Sequence, residues 1–503
     1  MQTNVLEYLE NTWDKVPDKV AYANDKDSVT FREVYDNARS IGSFLHAKGH
    51  YRESVVVFME KHPNAIVSFY GVVYAGCYYV PIDEEMPKHR IGLIFQSLKP
   101  RAIICDDVTE QMVKEFDYDG SVYKYADICH TPVDEPALAE IRDHQLDIDP
   151  LYIVFTSGST GVPKGVVACH RSVIDYIEQL SSVLKIDQDT VFGNQTPLYF
   201  DACLKELYPT LKFGATAYLV PKSLFMFPIK LVEFLNEKKI NTVCWVVSAL
   251  TMISAFKTFD KVVPQYLRTI AFGSEVFPIK QFNLWREAVP GARFINLYGP
   301  TEATGMSCYY EVNREFALDE VIPVGRPFHN TEILLLDDNG KEVPEGEPGE
   351  ICIRGTAVTL GYYHNPEKTS EAFVQNPLNA AYPEIIYKTG DLGRYNERHE
   401  LIFMSRKDYQ IKHMGHRIEL GEIEAIVNQH DDIKTSCCIF DDDKKKIVLY
   451  YVGEVTAADM AIFLKAKLPR YMIPNVMEQL DAMPFTANGK IDRNSLKQRY
   501  LSK

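Results

Sequence analysis

From Ser54 to about Pro300 the chain repeats one pattern, a short run of apolar residues followed by a stretch with helical spacing. The runs at 55–58, 102–105, 152–155, 216–220, 242–247, 268–272 and 293–297 are nearly continuous in apolar character and do not alternate with polar residues. A strand that is apolar on both faces must be covered on both, and an intervening helix is the connection that parallel pairing requires. The pattern therefore predicts an α/β fold of parallel sheets flanked by helices.

Between 322 and 409 the texture changes to Gly- and Pro-punctuated strands at 332–336, 350–354 and 400–404, which predicts a smaller, mostly antiparallel β subdomain. Beyond Arg406-Lys407-Asp408 a third texture follows: a helix at 420–429, strands at 436–440 and 447–452, and a helix at 457–468. This is a compact α+β stretch, and a domain boundary is drawn near Asp408. The run of three aspartates and three lysines at 441–446 lies between two apolar strands and reads as a solvated hairpin tip. At 503 residues the chain can bury several cores, about two to four lobes.

Composition excludes some functions. A formal charge of −15 opposes a nucleic-acid partner, because phosphate binding needs a basic face. The ten cysteines form no C-x-x-C pair, so neither a zinc knuckle nor a disulfide framework is indicated. They read as reduced, buried thiols of a cytoplasmic protein. Residues 1–22 carry Glu7, Glu10, Asp14 and Lys15 at helical intervals, which predicts an amphipathic opening helix and not a signal peptide. No apolar run approaches membrane-spanning length, so no membrane partner is expected.

The strongest local signal is the segment 155–166, FTSGSTGVPKGV, directly after the apolar strand at 152–154. Gly158, Gly161 and Gly165 allow close backbone approach, and Thr156, Ser157, Ser159 and Thr160 add hydroxyls to a row of N–H donors. Lys164 contributes a positive charge. The segment reads as a phosphate-gripping loop, although it lacks the spacing of a Walker loop, and a plain Ser/Gly turn is the competing reading.

This loop resembles the signature of the adenylate-forming superfamily of acyl-CoA synthetases, luciferases and peptide-synthetase adenylation domains. Five further strings resemble the family's motifs in the family's order: NLYGPTE at 296–302, YKTGDL at 387–392, SRKD at 405–408, KHMGHRIELGEIE at 412–424 and NGKIDR at 488–493. The similarity runs from Thr30-Phe31 to Arg493. It implies an adenylation core over 1–407, with the β subdomain at about 322–407, and a small mobile C-terminal lid over 408–503 that turns about Asp408.

The resemblance also implies ATP and Mg2+ as cofactors. Tyr298 would offer adenine a flat face, with Gly273, Ser274, Glu275, Asn296, Leu297, Gly299 and Thr301 around it. Glu302 would be the magnesium carboxylate, since a hard cation on phosphate oxygens wants oxygen ligands. Asp391 would accept from the ribose hydroxyls, joined there by Arg406 and Phe403. Thr156 to Thr160 and Lys164 would hold the phosphates. Lys490 would place a mobile cation between the attacking carboxylate and the α-phosphorus, where charge builds up in the transition state. Taken singly, Tyr298 reads equally as a core residue, Asp391 as a turn former and Lys490 as a turn exit.

Asp201 bears on substrate class. It matches the aspartate with which amino-acid-activating members hold the substrate's α-ammonium, and a helix N-cap is its alternative reading. By resemblance the pocket beyond it is lined by Ala202, Lys205, Cys244 or Trp245 (one residue apart in register), Ile270, Phe272, Leu297, Gly305 and Met306, together with Lys490. Gly273 and Gly305 add almost no volume, leaving room for a group larger than a methyl. A lysine in such a pocket asks for a substrate acceptor; the alternative is a surface lysine or one paired to Glu206. The implied function is ATP-dependent activation of a small α-amino or amino-aryl carboxylic acid as aminoacyl-AMP. The acyl group would then pass to the phosphopantetheine arm of a carrier protein acting in trans, since the chain stops ten residues after Arg493. D-alanine–carrier protein ligase is a resembling alternative, disfavoured by Gly273 where that ligase has a cysteine. An acyl-CoA synthetase would leave Asp201 unpaired. Against a catalytically dead nucleotide binder stand Thr160, Lys164, Glu302, Asp391 and Lys490 together.

Overall fold

Nine strands form the largest sheet, in the order Arg326–Pro327, Cys308–Glu311, Arg293–Tyr298, Thr269–Gly273, Thr242–Val246, Val191–Asn194, Thr216–Leu219, Val20–Ala23, Ser28–Thr30. The six inner strands are mutually parallel, and antiparallel strands close both edges. The computed structural model describes residues 2–158, 161–486 and 491–502. A six-stranded sheet, Ser121–Lys124, Ala102–Cys105, Ser54–Phe58, Tyr78–Ile82, Pro150–Thr156, Lys164–Cys169, repeats the theme, and every residue of Ser54–Phe58 is buried. The continuous apolar runs thus become parallel strands covered on both faces, as expected. A five-stranded antiparallel sheet is built from Thr331–Leu336, Gly349–Gly355, Phe373–Gln375, Ile385–Tyr395 and Leu401–Arg406.

The chain forms two compact units. The larger comprises Met1–Glu84, Pro100–Val154 and Gly165–Lys407. The smaller comprises Glu85–Lys99, Phe155–Lys164 and Asp408–Lys503. In the smaller unit, a hairpin of Gln410–His413 with His416–Glu419 turns through Met414 and Gly415, both at positive φ, the geometry of a tight two-residue turn. The helix Leu420–Val427 follows, and a sheet of Ile433–Asp441, Lys446–Gly453 and Val476–Gln479 packs against it. The tip at 441–446 is a turn, with the Asp441 side chain accepting from the Asp443 and Lys444 amides.

The opening helix is shorter than its charge spacing suggested. It covers only Leu6–Glu10, and turns carry the chain from Asn11 to Pro17. Leu6, Tyr8 and Leu9 supply its only buried turn, and a short helix without a longer apolar stripe does not propagate. The next helix, Phe31–Ala47, is well started: Thr30 and Glu33 form a reciprocal capping box. It crosses Pro63–Tyr74 where two glycines remove side-chain bulk. A Cβ at Gly42 would sit 2.5 Å from Tyr74 Cβ, and one at Gly71 would sit 2.5 Å from Ile41 Cγ2. Among the described residues no helix is long and apolar enough to cross a membrane. All ten cysteines are buried and free.

The crossing generates a test of packing. Gly42→Ala is expected to lower stability by about 1–3 kcal/mol despite the better helix propensity of alanine, because overpacking outweighs it. Urea unfolding measures the change, and a stabilised variant would contradict the close approach.

Candidate active site

Parallel strands deliver their carboxyl ends to one edge of a sheet, and ligands of α/β proteins bind outside that edge. In the larger unit that edge of the nine-stranded sheet carries Trp245 and Val246, then Gly273, then Tyr298, at the ends of three adjacent strands. Gly273 stands opposite Leu297, and a Cβ there would lie 2.3 Å from the Leu297 carbonyl oxygen, so the position must be glycine. Ser274 follows at φ 69°, and the Glu275 carboxylate accepts from the Ser248 amide at 2.7 Å. Asn296 is buried, and its side-chain amide donates to the Pro323 and Ile322 carbonyls at 2.8 and 3.3 Å.

After Tyr298 the chain turns through Gly299, where a Cβ would lie 2.5 Å from the Gly305 carbonyl oxygen and from Met306 Cα, into the single helical turn Thr301–Ala303. Glu302 is fully buried there, and its Oε1 accepts from the Tyr362 hydroxyl at 2.7 Å. Among the described residues no group of three or more His, Cys, Asp or Glu is arranged to hold a metal. A lone buried carboxylate beside a threonine fits a hard ion that takes most of its ligands from phosphate and water.

Tyr298 is itself buried, in a cluster with Ile351, Ile353 and Leu401, and its ring lies 6.5 Å from that of Phe403. Its hydroxyl donates to Asp391 Oδ2 at 2.6 Å, while Arg406 pairs with Oδ1. Asp391 and Arg406 face each other on the neighbouring strands Ile385–Tyr395 and Leu401–Arg406. Thr389 fixes the turn, giving its hydroxyl to the Ile351 carbonyl at 2.7 Å and accepting the Asp391 amide at 2.9 Å. Lys407 bonds Asp338 and Glu350 at 2.7 and 3.1 Å, and the two compact units divide immediately after it, before Asp408.

Asp201 is 8% exposed, in a 3-10 turn Asp201–Cys203 ahead of the helix Leu204–Phe213. Cys203, not Asp201, is the residue at that helix's N-cap, which removes the capping alternative. Burial raises the Asp201 carboxyl to about 6, against the opposing pull of Lys205 and a hydrogen bond from Thr301. Lys205 is 5% exposed and makes no hydrogen bond or ion pair among the described residues, so it is neither a surface lysine nor closely paired to Glu206. Glu206 is fully buried and accepts from Asn194 Nδ2 at 3.2 Å. Burial pushes its carboxyl up to about 7. Lys61 donates to the Asn194 and Gln195 carbonyls at 3.1 Å each, and burial brings its ammonium down to about 7.

Strand pleating sorts the remaining pocket candidates. Cys244, Leu297 and Met306 share a core with Tyr176, Cys203 and Leu204, beside the Asp201 turn, and Ala202 lies within that turn. Gly305, at φ 89°, packs its Cα face against the Tyr176 ring. Trp245, Ile270 and Phe272 instead join Phe277, Phe282 and Trp285 on the other face of the sheet, with Trp245 Nε1 bound to the Gly193 carbonyl at 2.6 Å. Ile270, Phe272 and Trp245 thus pack in a different apolar cluster from Cys244, Leu297 and Met306, and Ala271 falls with the latter group. Sequence reading also missed Lys61, Asn194 and Tyr362, which lie far from any motif.

Thr156 ends the strand Pro150–Thr156, Ser157 and Gly158 follow it, and Lys164 opens the strand Lys164–Cys169. Ser159, Thr160 and Lys490 lie outside the described residues.

The motifs read in the sequence thus become, in the larger unit, a buried aspartate–arginine–tyrosine node and a buried carboxylate after the strand ends, the setting of an adenylate-forming α/β enzyme. The chain belongs to the AMP-binding enzyme family, whose pattern it matches over residues 9–363. It is 32% identical over 496 residues to bacitracin synthase 1 of Bacillus licheniformis, covering 97% of this chain and 9% of that protein. The chain spans about a tenth of the length of the first curated relatives it matches. Among solved structures it is similar to a nonribosomal peptide synthetase protein containing adenylation and PCP domains, bound to a vinylsulfonamide inhibitor. That likeness has a TM-score of 0.83 at 23% identity, over 99% of this chain and 84% of the other. A four-domain nonribosomal peptide synthetase bound to AMP and glycine gives 0.71 at 27% identity, over 98% and 36%.

The Asp201 environment is directly measurable. In the free protein its carboxyl is expected to titrate near pH 6, followed by carbon-detected NMR, and Lys205→Met should move the midpoint upward because a cation that favours the ionised form is lost. An unmoved midpoint would place Lys205 away from Asp201.

Proposed function

We propose that the chain activates the carboxylate of an amino or amino-aryl acid with ATP and then passes the acyl group to the phosphopantetheine thiol of a carrier protein. The observation that carries this reading is Asp201, a carboxylate buried at some cost beside Thr301 and the Glu302 turn, where a substrate ammonium would restore the missing charge. A fatty acyl substrate offers no such partner. Family membership supports the adenylating step, and the relatives that combine adenylation with PCP domains support a carrier as acceptor.

In the first half-reaction a substrate carboxylate oxygen attacks the α-phosphorus, forming the acyl–phosphate bond as pyrophosphate leaves. In the second, a thiolate attacks the acyl carbon and AMP leaves. The Asp391 node would hold the ribose, the strand ends at Gly273 and Tyr298 the adenine, and the loop after Thr156 the phosphates. Magnesium, held through Glu302, would neutralise phosphate charge. Lys490 would bridge the reacting carboxylate and phosphate oxygens, and Asp408 would be the pivot about which the C-terminal lid brings different residues to the two half-reactions.

Lys205 bears on the side chain accepted. Its buried ammonium feels Asp201 and Glu206 but makes no hydrogen bond or ion pair among the described residues, so a substrate with a carboxylate, carbonyl or hydroxyl acceptor fits better than alanine.

Two experiments test the reading. Lys490→Ala should cut amino-acid-dependent ATP–pyrophosphate exchange about a hundred- to a thousandfold with ATP binding little changed, since the lost contact belongs to the transition state. Exchange at the wild-type rate would remove Lys490 from the chemistry. A panel of D-alanine, acidic, amide, aromatic and aminobenzoate substrates should favour those carrying an acceptor, and Lys205→Met should erase that preference. Strong D-alanine preference in both proteins would instead identify a D-alanine ligase.

A further inference from the structure

The backbone donor that follows the first strand of the phosphate loop already holds an anion. Within the smaller unit the Gly158 amide donates to Glu422 Oε2 at 3.2 Å. The other oxygen of Glu422 pairs with Arg90 of the helix Lys88–Leu98, and the two side chains are only 1% and 5% exposed. Beside them, Ser157 Oγ donates to the Arg417 carbonyl at 2.9 Å and accepts the Glu419 amide at 3.2 Å. Gly161, at φ 82°, brings its backbone so near the helix Leu420–Val427 that a Cβ there would lie 3.1 Å from Ala425 Cβ.

A carboxylate oxygen on a loop amide is the same kind of acceptor as a phosphate oxygen, and an amide N–H serves one strong acceptor at a time. Burial raises the Glu422 carboxyl, and the Arg90 guanidinium with the Gly158 amide pulls it back in part. The Glu422 carboxylate, steadied by Arg90 332 residues away in the chain, is therefore an acceptor already seated on the loop.

We propose that Arg90 and Glu422 are positioning residues of the nucleotide site: their ion pair presents a carboxylate to the Gly158 amide in place of a phosphate, so that ATP and the helix Leu420–Val427 compete for one donor. The proposal rests on reading residues 155–164 as the phosphate loop. ATP entry then releases the loop from that helix, and product departure restores the contact. The lid is thereby coupled to nucleotide occupancy by a single acceptor exchange.

The test uses the full chain with Arg90→Met/Glu422→Met, which removes both charges and keeps apolar volume, a replacement that buried ion pairs tolerate. Glu422→Gln is the companion variant, keeping an acceptor oxygen but not its charge. ATP binding is measured by calorimetry, and amide exchange of the fragment carrying Gly158 by mass spectrometry without nucleotide. The double variant is expected to bind ATP about tenfold more tightly and to exchange faster at Gly158, with Glu422→Gln between it and the wild type. Unchanged ATP affinity overturns the competition, whatever the exchange rate. If neither protein binds ATP while the double variant still exchanges faster, the functional reading fails and the hold of Glu422 on the loop stands.

Discussion

A carboxylate taken out of water must find a donor or a cation, and four buried carboxylates organise this chain around that requirement. Asp391 has Arg406 and the Tyr298 hydroxyl; Glu302 has the Tyr362 hydroxyl; Glu422 has Arg90 and the Gly158 amide. Apart from Asp391 with Arg406 on adjacent strands, these ties join segments 60 or more residues apart, so they fix a strand end or a loop that apolar packing alone would leave loosely placed. Asp201 is less well supplied, as is Glu206. Asp201 has Thr301 and the field of Lys205 but no cation in contact, and its carboxyl is raised accordingly. Asp391, Glu302 and Glu422 are tied by named donors, whereas Asp201 and the fully buried Glu206 feel the charge of Lys205 without an ion pair to it.

Below that layer, direction of chain does the work. Six parallel strands bring Gly273, Tyr298 and the Glu302 turn to a single edge, while the antiparallel sheet supplies Asp391 and Arg406 from adjacent strands. Neither sheet contributes the whole node. The tyrosine hydroxyl reaching Asp391 is what ties the edge of one to the face of the other within the larger unit.

How much of this was legible in the sequence depends on range and phase. Continuous apolar runs reveal parallel strands, and the Gly- and hydroxyl-rich segment after Phe155 reveals the loop, because both signals are local. The phase of the strand at 269–273 was not legible. Thr-Ile-Ala-Phe-Gly is apolar on both faces, so no polar alternation tells which side Ile270 and Phe272 take, and only the paired strand's Leu297 settles it. The opening helix was over-read from charge spacing that had no matching apolar stripe. Arg90 with Glu422 was invisible, since nothing local marks an arginine whose partner lies in another part of the chain.

The burial of all ten cysteines takes on meaning beside an acyl adenylate. Such an intermediate reacts with any thiolate that reaches it, and the thiolate, not the thiol, is the nucleophile. Burial pushes the thiols of Cys203, Cys244 and Cys308 upward, so the sulfurs packed nearest Asp201 and Tyr298 remain protonated. In the proposed transfer to an incoming thiol, this packing would keep the chain's own thiols from competing as acceptor.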